Sequence, residues 1–234
     1  MNALQSVEQD AWQGRSYLPQ VSKHMVIMCG LPGTGKTELA KRIHKGLERS
    51  YILHRDDEKQ SIADRTKRSD LIRRYELKQL FAKFGFVEST SEVRIVQADN
   101  QLFVQAEKLL SCFDTLILDG TFHSYKKRNR AYLFAKQHGC EPIIIYCVCS
   151  FKEALRRLRH QSEKKEKIFE SSPEKLLSYY QEHFDSLEPD NLWATIIQVD
   201  TENHGSPKVE IKSLHHSSAF IERLVKILAK SPLL

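Results

Sequence analysis

Long apolar runs are absent from this sequence of 234 residues. The longest, such as residues 143–149, fall far short of the roughly 18 consecutive apolar residues that a membrane-spanning helix requires. No cationic stretch followed by an apolar one opens the chain, so a secretion signal is not indicated either. We therefore expect a soluble, cytoplasmic protein that has no membrane partner.

Cysteine is sparse and irregularly spaced. The five cysteines form an odd set without a C-x-x-C pair, which indicates neither a disulfide framework nor a zinc site. We expect them to be small, buried, hydrophobic residues in a reducing compartment.

Neither sign of charge dominates, although basic residues are in excess. Lys and Arg number 36 against 30 Asp and Glu, which gives a formal net charge of +6. This modest excess favours an acidic partner such as a nucleotide or a nucleic acid. The length and a hydrophobic content of 41% are sufficient for the core of one substantial α/β domain.

The most specific pattern in the chain is a glycine-rich loop that follows an apolar run over 25–29. It matches G-x-x-x-x-G-K-[ST] through Gly30, Leu31, Pro32, Gly33, Thr34, Gly35, Lys36 and Thr37. Glycines let successive N–H groups turn inward around phosphate oxygens at a helix N-terminus. Lys36 would reach the β- and γ-phosphates, and the Thr37 hydroxyl would bind Mg²⁺. The loop therefore predicts binding of a nucleoside triphosphate, with ATP and Mg²⁺ as cofactors; the alternative is an ordinary turn before a helix.

Segments with strand and helix patterns alternate along the chain. Strands are predicted at 25–29, 51–54, 113–118, 142–149 and 195–199. Helical patterns are predicted at 36–47, 70–84, 95–110, 125–138, 151–158, 173–180 and 220–228. This alternation predicts a three-layer α/β/α P-loop NTPase fold with a mainly parallel sheet and a helical lid at about 156–172. We divide the chain into an N-terminal extension (1–22), a P-loop domain (23–202) and a C-terminal loop and helix that pack on it (203–234).

Carboxylates follow two of the predicted strands, at the sheet edge where open α/β sheets bind ligands. Asp119 has the position of a Walker-B-type aspartate that holds Mg²⁺; alternatively, it is a solvated turn residue before Gly120. Asp56 would act as a general base for an attacking hydroxyl, and Asp57 competes for that role. Both could instead cap the helix that follows them.

Three arginines lie on the helix that begins the predicted lid. Arg156, Arg157 and Arg159 are placed where a mobile flap could cover the triphosphate, and we assign Arg157 and Arg159 a catalytic role in stabilising transition-state charge. A solvated, charged helix face would explain the same arginines without a function.

Three separated blocks resemble the 5′-hydroxyl polynucleotide kinase family, with zeta-toxin-like and seryl-tRNA kinases as neighbouring families. The blocks are R-D-D-E-K-Q-S-I at 55–62, I-L-D-G-T at 117–121 and the helix pattern R-x-x-x-x-x-x-A-x-x-x-G at 128–139. The resemblance implies Asp56 as the catalytic base, Lys36 and Thr37 at the phosphates and the metal, and Asp119 near Mg²⁺. It also implies an arginine from 156–159 in the lid and the 5′-hydroxyl of RNA or DNA as acceptor.

The sequence departs from this family at two positions where the acceptor would bind. Lys59 stands where the family has an arginine three residues beyond the base, which keeps the charge but loses the bidentate fork. Thr121, with its neighbours Gly120 and Phe122, replaces the family's asparagine after the strand. We assign Asp56, Lys59 and Thr121 to the acceptor site.

The acceptor has alternatives. A basic segment with Arg73, Arg74 and Lys78 could contact nucleic acid, while Tyr75 and Phe81 beside it have the spacing of either a stacking surface or a core face. The same chemistry could serve a small molecule, a sugar nucleotide or an aminoacyl-tRNA. A nucleotide-dependent switch or ATPase is a further possibility, although no N-K-x-D guanine-recognition pattern is present and the Asp56–Asp57 pair would be unexplained.

Overall fold

The computed structural model describes residues 22–54, 90–164, 171–202, 207–215 and 219–229, with the backbone alone for 90–99. The strands are β1 (Lys23–Cys29), β2 (Ser50–His54), β3 (Thr115–Asp119), β4 (Cys140–Val148), β5 (Thr195–Asp200) and β6 (Lys208–Ser213). The α-helices are α1 (Lys36–Gly46), α2 (Thr90–Leu109), α3 (Tyr125–Gln137), α4 (Phe151–Glu163), α5 (Pro173–Glu182) and α6 (Ala219–Ala229). A 3-10 helix spans Glu188–Leu192.

The six described strands form one sheet in the order β2-β3-β1-β4-β5-β6. The first five are parallel, so their carboxyl ends meet at one edge of the sheet. β1 lies between β3 and β4, with Val26 opposite both Ile117 and Ile143. A strand enclosed on both sides and both faces must be apolar throughout, which explains the uninterrupted run before the glycine-rich loop.

Helices cover both faces of the sheet. The side chains of β1 therefore alternate between two hydrophobic cores, one on each face. Met25 and Ile27 pack on the side that holds α2 and α3. Val26 and Met28 pack on the opposite side, against α1 and α6. The predicted three-layer α/β/α fold with a mainly parallel sheet is therefore confirmed.

β6 is an element that the sequence did not predict. It pairs with β5 in the antiparallel direction and forms the edge of the sheet. Its sequence, K-V-E-I-K-S, is short and charged, and such side chains are common on edge strands because they oppose pairing with other chains. The segment after residue 203 thus adds a strand to the sheet as well as the expected C-terminal helix.

Capping side chains set the beginnings of the two helices around the predicted lid. The Ser150 hydroxyl accepts a hydrogen bond from the N–H of Glu153 at the start of α4. Ser172 does the same for Lys175 at the start of α5, where Pro173 occupies the first turn as its sequence pattern predicted. Ser150 lies two residues after the end of β4, and it therefore starts α4 beside the carboxyl edge of the sheet.

Some of the predicted features lie outside the described residues. These are residues 1–21 of the N-terminal extension, the helix at 70–84, and part of the predicted lid at 165–170. Among the helices that are described, none combines the length and apolar composition needed to cross a bilayer.

Candidate active site at the carboxyl edge of the sheet

The glycine-rich loop runs from the end of β1 to the start of α1, and its glycines are sterically required. Gly30, Gly33 and Gly35 have φ angles of +139°, +81° and +83°, which L side chains rarely adopt. A Cβ on Gly30 would lie 2.3 Å from the Cys147 carbonyl oxygen, and one on Gly33 would lie 2.4 Å from the Ala154 carbonyl oxygen. The loop is therefore closely packed against the end of β4 and the first turn of α4.

Lys36 folds back over this loop. Its Nζ donates a hydrogen bond to the Leu31 carbonyl oxygen at 2.6 Å, and the Thr34 hydroxyl donates to the same oxygen at 2.8 Å. These bonds place the ammonium group over the backbone that would surround a phosphate. The prediction that Lys36 reaches the β- and γ-phosphates requires its ammonium group to be near this loop, where the structure places it.

Thr37 and Asp119 meet beside the loop. The Thr37 hydroxyl donates to Oδ2 of Asp119 at 2.8 Å, and Nδ1 of His54 lies 3.0 Å from the same oxygen. Burial by itself would raise the pKa of Asp119, but the hydrogen bonds from His54 and Thr37 and the charge of Lys36 outweigh it, so this pKa is lowered. Asp119 is consequently a buried, ionised carboxylate at neutral pH.

These oxygen ligands suit magnesium. Mg²⁺ prefers hard oxygen donors and is held by one or two carboxylates together with substrate phosphates and water. Thr37 and Asp119 supply a hydroxyl and an ionised carboxylate within hydrogen-bonding distance of each other. Within the described residues there is no group of three or more His, Cys, Asp or Glu side chains that could hold a metal by itself. This pair of oxygen donors therefore fits Mg²⁺ that is bound together with the phosphates of a nucleotide.

His54 is a contact that sequence reasoning missed. It ends β2 and lies opposite Asp119 in the register of the β2–β3 pair, which brings its ring to the carboxylate. The pattern of residues 51–54 predicted the strand, but the identity of the side chain facing Asp119 depends on register.

Thr121 follows β3 and joins the loop through its backbone. The Gly30 N–H donates to the Thr121 carbonyl oxygen at 3.3 Å. The next residue, Phe122, is buried and has a φ of +43°, a conformation that is uncommon for residues other than glycine. The structure therefore brings Thr121 to the beginning of the glycine-rich loop.

A buried arginine holds this segment in place. Arg128 is fully buried and donates from Nη1 to the carbonyl oxygens of Phe122 and His123, both at 3.1 Å. Its Nε donates to Asp190 at 2.9 Å, and Asp190 also accepts a hydrogen bond from the Tyr132 hydroxyl. Arg128 begins one of the sequence blocks described above, but nothing in the sequence indicated Asp190 as its partner.

The three lid arginines have different surroundings. Arg157 donates from Nη1 to the carbonyl oxygen of Gly33 at 3.4 Å, so it contacts the phosphate-binding loop directly. Arg156 is exposed and pairs with Glu153. Arg159 is also exposed and pairs with Glu174 of α5. The structure brings Arg157 to the loop and leaves Arg159, which was assigned the same role, in an ion pair between two helices.

Thr201 is the second contact that sequence reasoning missed. It follows β5 and is fully buried. Its hydroxyl lies 3.0 Å from the Thr34 carbonyl oxygen, and Arg157 donates to both its hydroxyl and its carbonyl oxygen. A threonine after a strand is too common for its sequence position to indicate such a role.

The predicted base and part of the predicted acceptor site lie outside the described residues. Asp56, its competitor Asp57 and Lys59 follow the last described residue of β2, His54. The basic segment with Arg73, Arg74 and Lys78 is outside them as well. Their assignments stay predictions.

A family model matches most of the chain. This model, AAA_33, is described as an AAA domain and matches residues 25–187, which include the glycine-rich loop, Asp119 and α4. A search among curated proteins finds no match.

Solved structures with a similar fold include the following two. A crystal structure of a candidate kinase from Chloroflexus aurantiacus J-10-fl is 21% identical with a TM-score of 0.54, covering 77% of this chain and 89% of that chain. The PezAT chromosomal toxin–antitoxin system of Streptococcus pneumoniae is 14% identical with a TM-score of 0.51, covering 96% of this chain and 86% of that chain. At these identities, the likeness establishes the fold.

Proposed function

This chain belongs to the AAA_33 family of AAA domains, and we propose that it is a kinase that transfers the γ-phosphate of ATP to a hydroxyl group. The observation that carries the proposal is the hydrogen bond between Thr37 and Asp119 directly beside the glycine-rich loop. A loop that cradles phosphates and an oxygen pair suited to Mg²⁺ are the parts that phosphoryl transfer requires on the nucleotide side.

In this proposal, each residue near the loop has a separate task. The loop N–H groups and Lys36 bind the triphosphate, and Thr37 and Asp119 hold Mg²⁺. When bound, Mg²⁺ neutralises charge on the phosphate oxygens. Arg157, which contacts the carbonyl oxygen of Gly33, stabilises the charge that develops during transfer.

The acceptor hydroxyl is activated by Asp56 in this mechanism. The hydroxyl oxygen forms a bond to the γ-phosphorus while the bond from that phosphorus to the β–γ bridging oxygen breaks. The hydroxyl proton passes to the Asp56 carboxylate, and the products are a phosphate monoester and ADP. Support comes from the sequence position of Asp56, two residues after His54, whose ring contacts Asp119 at the same sheet edge.

We propose the 5′-hydroxyl of RNA or DNA as the acceptor. The support is the resemblance of residues 55–62, 117–121 and 128–139 to 5′-hydroxyl polynucleotide kinases, together with the net charge of +6. Thr121, whose carbonyl oxygen bonds to Gly30 at the start of the loop, and Lys59 would contact this acceptor.

Transfer of label from γ-labelled ATP tests the proposal. The protein is incubated with Mg²⁺ and, in parallel, with 5′-hydroxyl oligoribonucleotides, 5′-hydroxyl oligodeoxynucleotides, nucleosides, or no acceptor. We expect label on the 5′ end of an oligonucleotide, with binding that weakens as salt increases because a polynucleotide interface releases counterions. Label only on nucleosides would support a small-molecule kinase instead. Label released solely as free phosphate would contradict both kinase assignments and favour an ATPase or switch.

A further inference from the structure

Thr201 is the point at which the phosphate-binding loop, the end of β4 and helix α4 are joined. Its hydroxyl lies 3.0 Å from the Thr34 carbonyl oxygen, and its N–H donates to the Val148 carbonyl oxygen at 2.8 Å. Its hydroxyl also lies 3.1 Å from Nη1 of Arg157, and its carbonyl oxygen accepts a hydrogen bond from Nη2 at 2.5 Å. One fully buried residue therefore contacts all three parts.

Arg157 is held from two sides. Its Nε donates to Glu153 at 2.7 Å within α4. From the other side, Thr201, which follows β5, accepts hydrogen bonds from Nη1 through its hydroxyl and from Nη2 through its carbonyl oxygen. Nη1 also donates to the carbonyl oxygen of Gly33 at 3.4 Å. A guanidinium has five N–H donors, and these contacts with described residues account for four of them, so the side chain is held in one orientation beside the loop.

We propose that Thr201 is a positioning residue, which holds Arg157 against the phosphate-binding loop before the substrates bind. The inference rests on the proposed function, in which Arg157 stabilises the transferring phosphoryl group. Arginine has many rotamers in solution, so a side chain that is already oriented loses less freedom when the transition state forms. Arg157 would then act as a fixed part of the site rather than by movement of a flexible lid.

A threonine at the end of a strand could instead serve stability alone. The two roles differ in what they predict for Arg157. If Thr201 acts through Arg157, removing the Thr201 hydroxyl should have little effect on turnover once the arginine has been removed. If Thr201 affects turnover only through the stability of the fold, its substitution should lower kcat by the same factor with and without Arg157, because the arginine would not mediate the effect.

A double-mutant cycle of Thr201→Val and Arg157→Ala tests this prediction. The side chain of valine keeps the shape of threonine but has no hydroxyl, and Thr201→Ser restores the hydroxyl; the backbone carbonyl that accepts from Nη2 is present in every variant. Thr195→Val is the matched control, because Thr195 is a buried threonine at the opposite end of β5 whose hydroxyl accepts from the N–H of His215. For each variant we would measure kcat and KM for phosphate transfer, ATP affinity by calorimetry, and the melting temperature.

We expect Thr201→Val to lower kcat by about 10-fold or more while ATP affinity changes by less than about threefold, since the arginine acts mainly on the transition state. Thr201→Ser should recover most of the kcat, and Thr195→Val should leave it within about twofold of the wild type. In the Arg157→Ala background, Thr201→Val should reduce kcat by less than about twofold further.

Three outcomes would overturn the proposal: an unchanged kcat in Thr201→Val, an equal further loss in the Arg157→Ala background, or a loss that Thr201→Ser does not recover. Failure of the proposed function is a different result, in which the wild-type protein transfers phosphate to no acceptor. The cycle would then be measured on ATP hydrolysis and ATP affinity, and additive effects of the two substitutions there would again reject a positioning role.

Discussion

Thr37 and Asp119 are 82 positions apart in the sequence, yet the Thr37 hydroxyl lies 2.8 Å from Oδ2 of Asp119. Thr37 is in the first turn of α1, and Asp119 is the last residue of β3. They meet because β3 pairs with β1 in parallel, so both strands end at the same edge of the sheet. The pair links the phosphate-binding loop to an ionised carboxylate, and it is the basis for the magnesium prediction.

Asp119→Asn should raise the Mg²⁺ concentration that activity requires. The substitution keeps the size of the side chain but removes the charge, so we expect kcat/KM to fall by about 100-fold, equal to roughly 2.7 kcal/mol. Titration of activity with MgCl₂ and calorimetry of Mg–ATP binding would measure it. Asp114→Asn, immediately before β3 at its other end, is the control and should behave like the wild type. If activity depends on the MgCl₂ concentration in the same way in Asp119→Asn and Asp114→Asn, Asp119 is not a magnesium ligand.

Lys36→Ala should impair both nucleotide binding and turnover. Its ammonium group lies over the loop, 2.6 Å from the Leu31 carbonyl oxygen, and removal of one such charge-stabilising donor typically costs about 10² to 10³ in rate. Binding of a fluorescent ATP analogue and initial rates would be measured. Lys41→Ala removes an exposed lysine of the same helix, paired with Glu38, and should have little effect. If ATP affinity and rate survive in Lys36→Ala, the phosphate-loop assignment is wrong.

Asp56→Asn should abolish transfer while leaving nucleotide binding nearly intact. An amide cannot take the proton of the acceptor hydroxyl, and general-base catalysis contributes about 10² to 10⁴ in rate. Single-turnover transfer and ATP affinity would be compared with those of Asp57→Asn, which replaces the competing carboxylate. A larger loss in Asp57→Asn would move the base to that residue, and full turnover in both variants would exclude a general base from this pair.

Arg128→Met should destabilise the protein strongly. It leaves the buried Asp190 carboxylate without its ion-pair partner, which costs about 3 to 5 kcal/mol when the pair is fully desolvated. Arg49→Met breaks the more exposed pair with Asp114 and should cost no more than about 1 kcal/mol. Urea denaturation would measure both free energies of unfolding. Similar values for the two variants would mean that the buried network does not anchor the segment after β3.

Glu153 should make stability depend on pH in the acidic range. Hydrogen bonds from Arg156 and then Arg157 outweigh the effect of burial and lower the pKa of Glu153 from its usual 4.5 to about 2. A carboxyl group whose pKa is lower in the folded state than in the unfolded state stabilises the fold at pH values above its unfolded-state pKa. This stabilisation is lost as the pH falls from 4.5 towards 2.

Comparison with Glu153→Gln isolates this effect. At pH 7 we expect the wild type to be more stable by about 1 kcal/mol, because the contacts are partly exposed and screened by solvent. The difference should shrink as the pH falls below 4.5 towards 2, the pKa of the folded state, in urea denaturation at several pH values. A difference that stays constant over this range would contradict the assignment of the low pKa to Glu153.

Much of the nucleotide side of the site could be predicted from the sequence. The glycine spacing identifies the loop, and the rule that parallel strands end at one edge of a sheet brings Asp119 towards Thr37. The choice between Arg157 and Arg159 could not be predicted in this way. Both lie on α4. Arg157 contacts Thr201 after β5, whereas Arg159 contacts Glu174 of α5, and only the packing of α4 against these elements separates the two.

The remaining contacts were missed because they involve common residues that meet only through strand register or through the packing of helices. His54 faces Asp119 because β2 and β3 pair in one particular register. Asp190 meets Arg128 across 62 positions, from a short 3-10 helix with no pattern of its own. β6 is six residues long and charged, and its strand form depends on the backbone of β5 beside it.

Local sequence patterns were sufficient to predict the glycine-rich loop, the first five strands and the described helices between them, and hence the α/β/α fold. Positive φ angles and hydrophobic periodicity are local properties, so they can be read from neighbouring residues. The meeting of Thr34, Arg157 and Thr201 is visible only in the folded chain, since their contacts require β4, β5 and α4 to end or begin at one place. Long-range side-chain contacts depend on packing and register, which the local sequence does not specify.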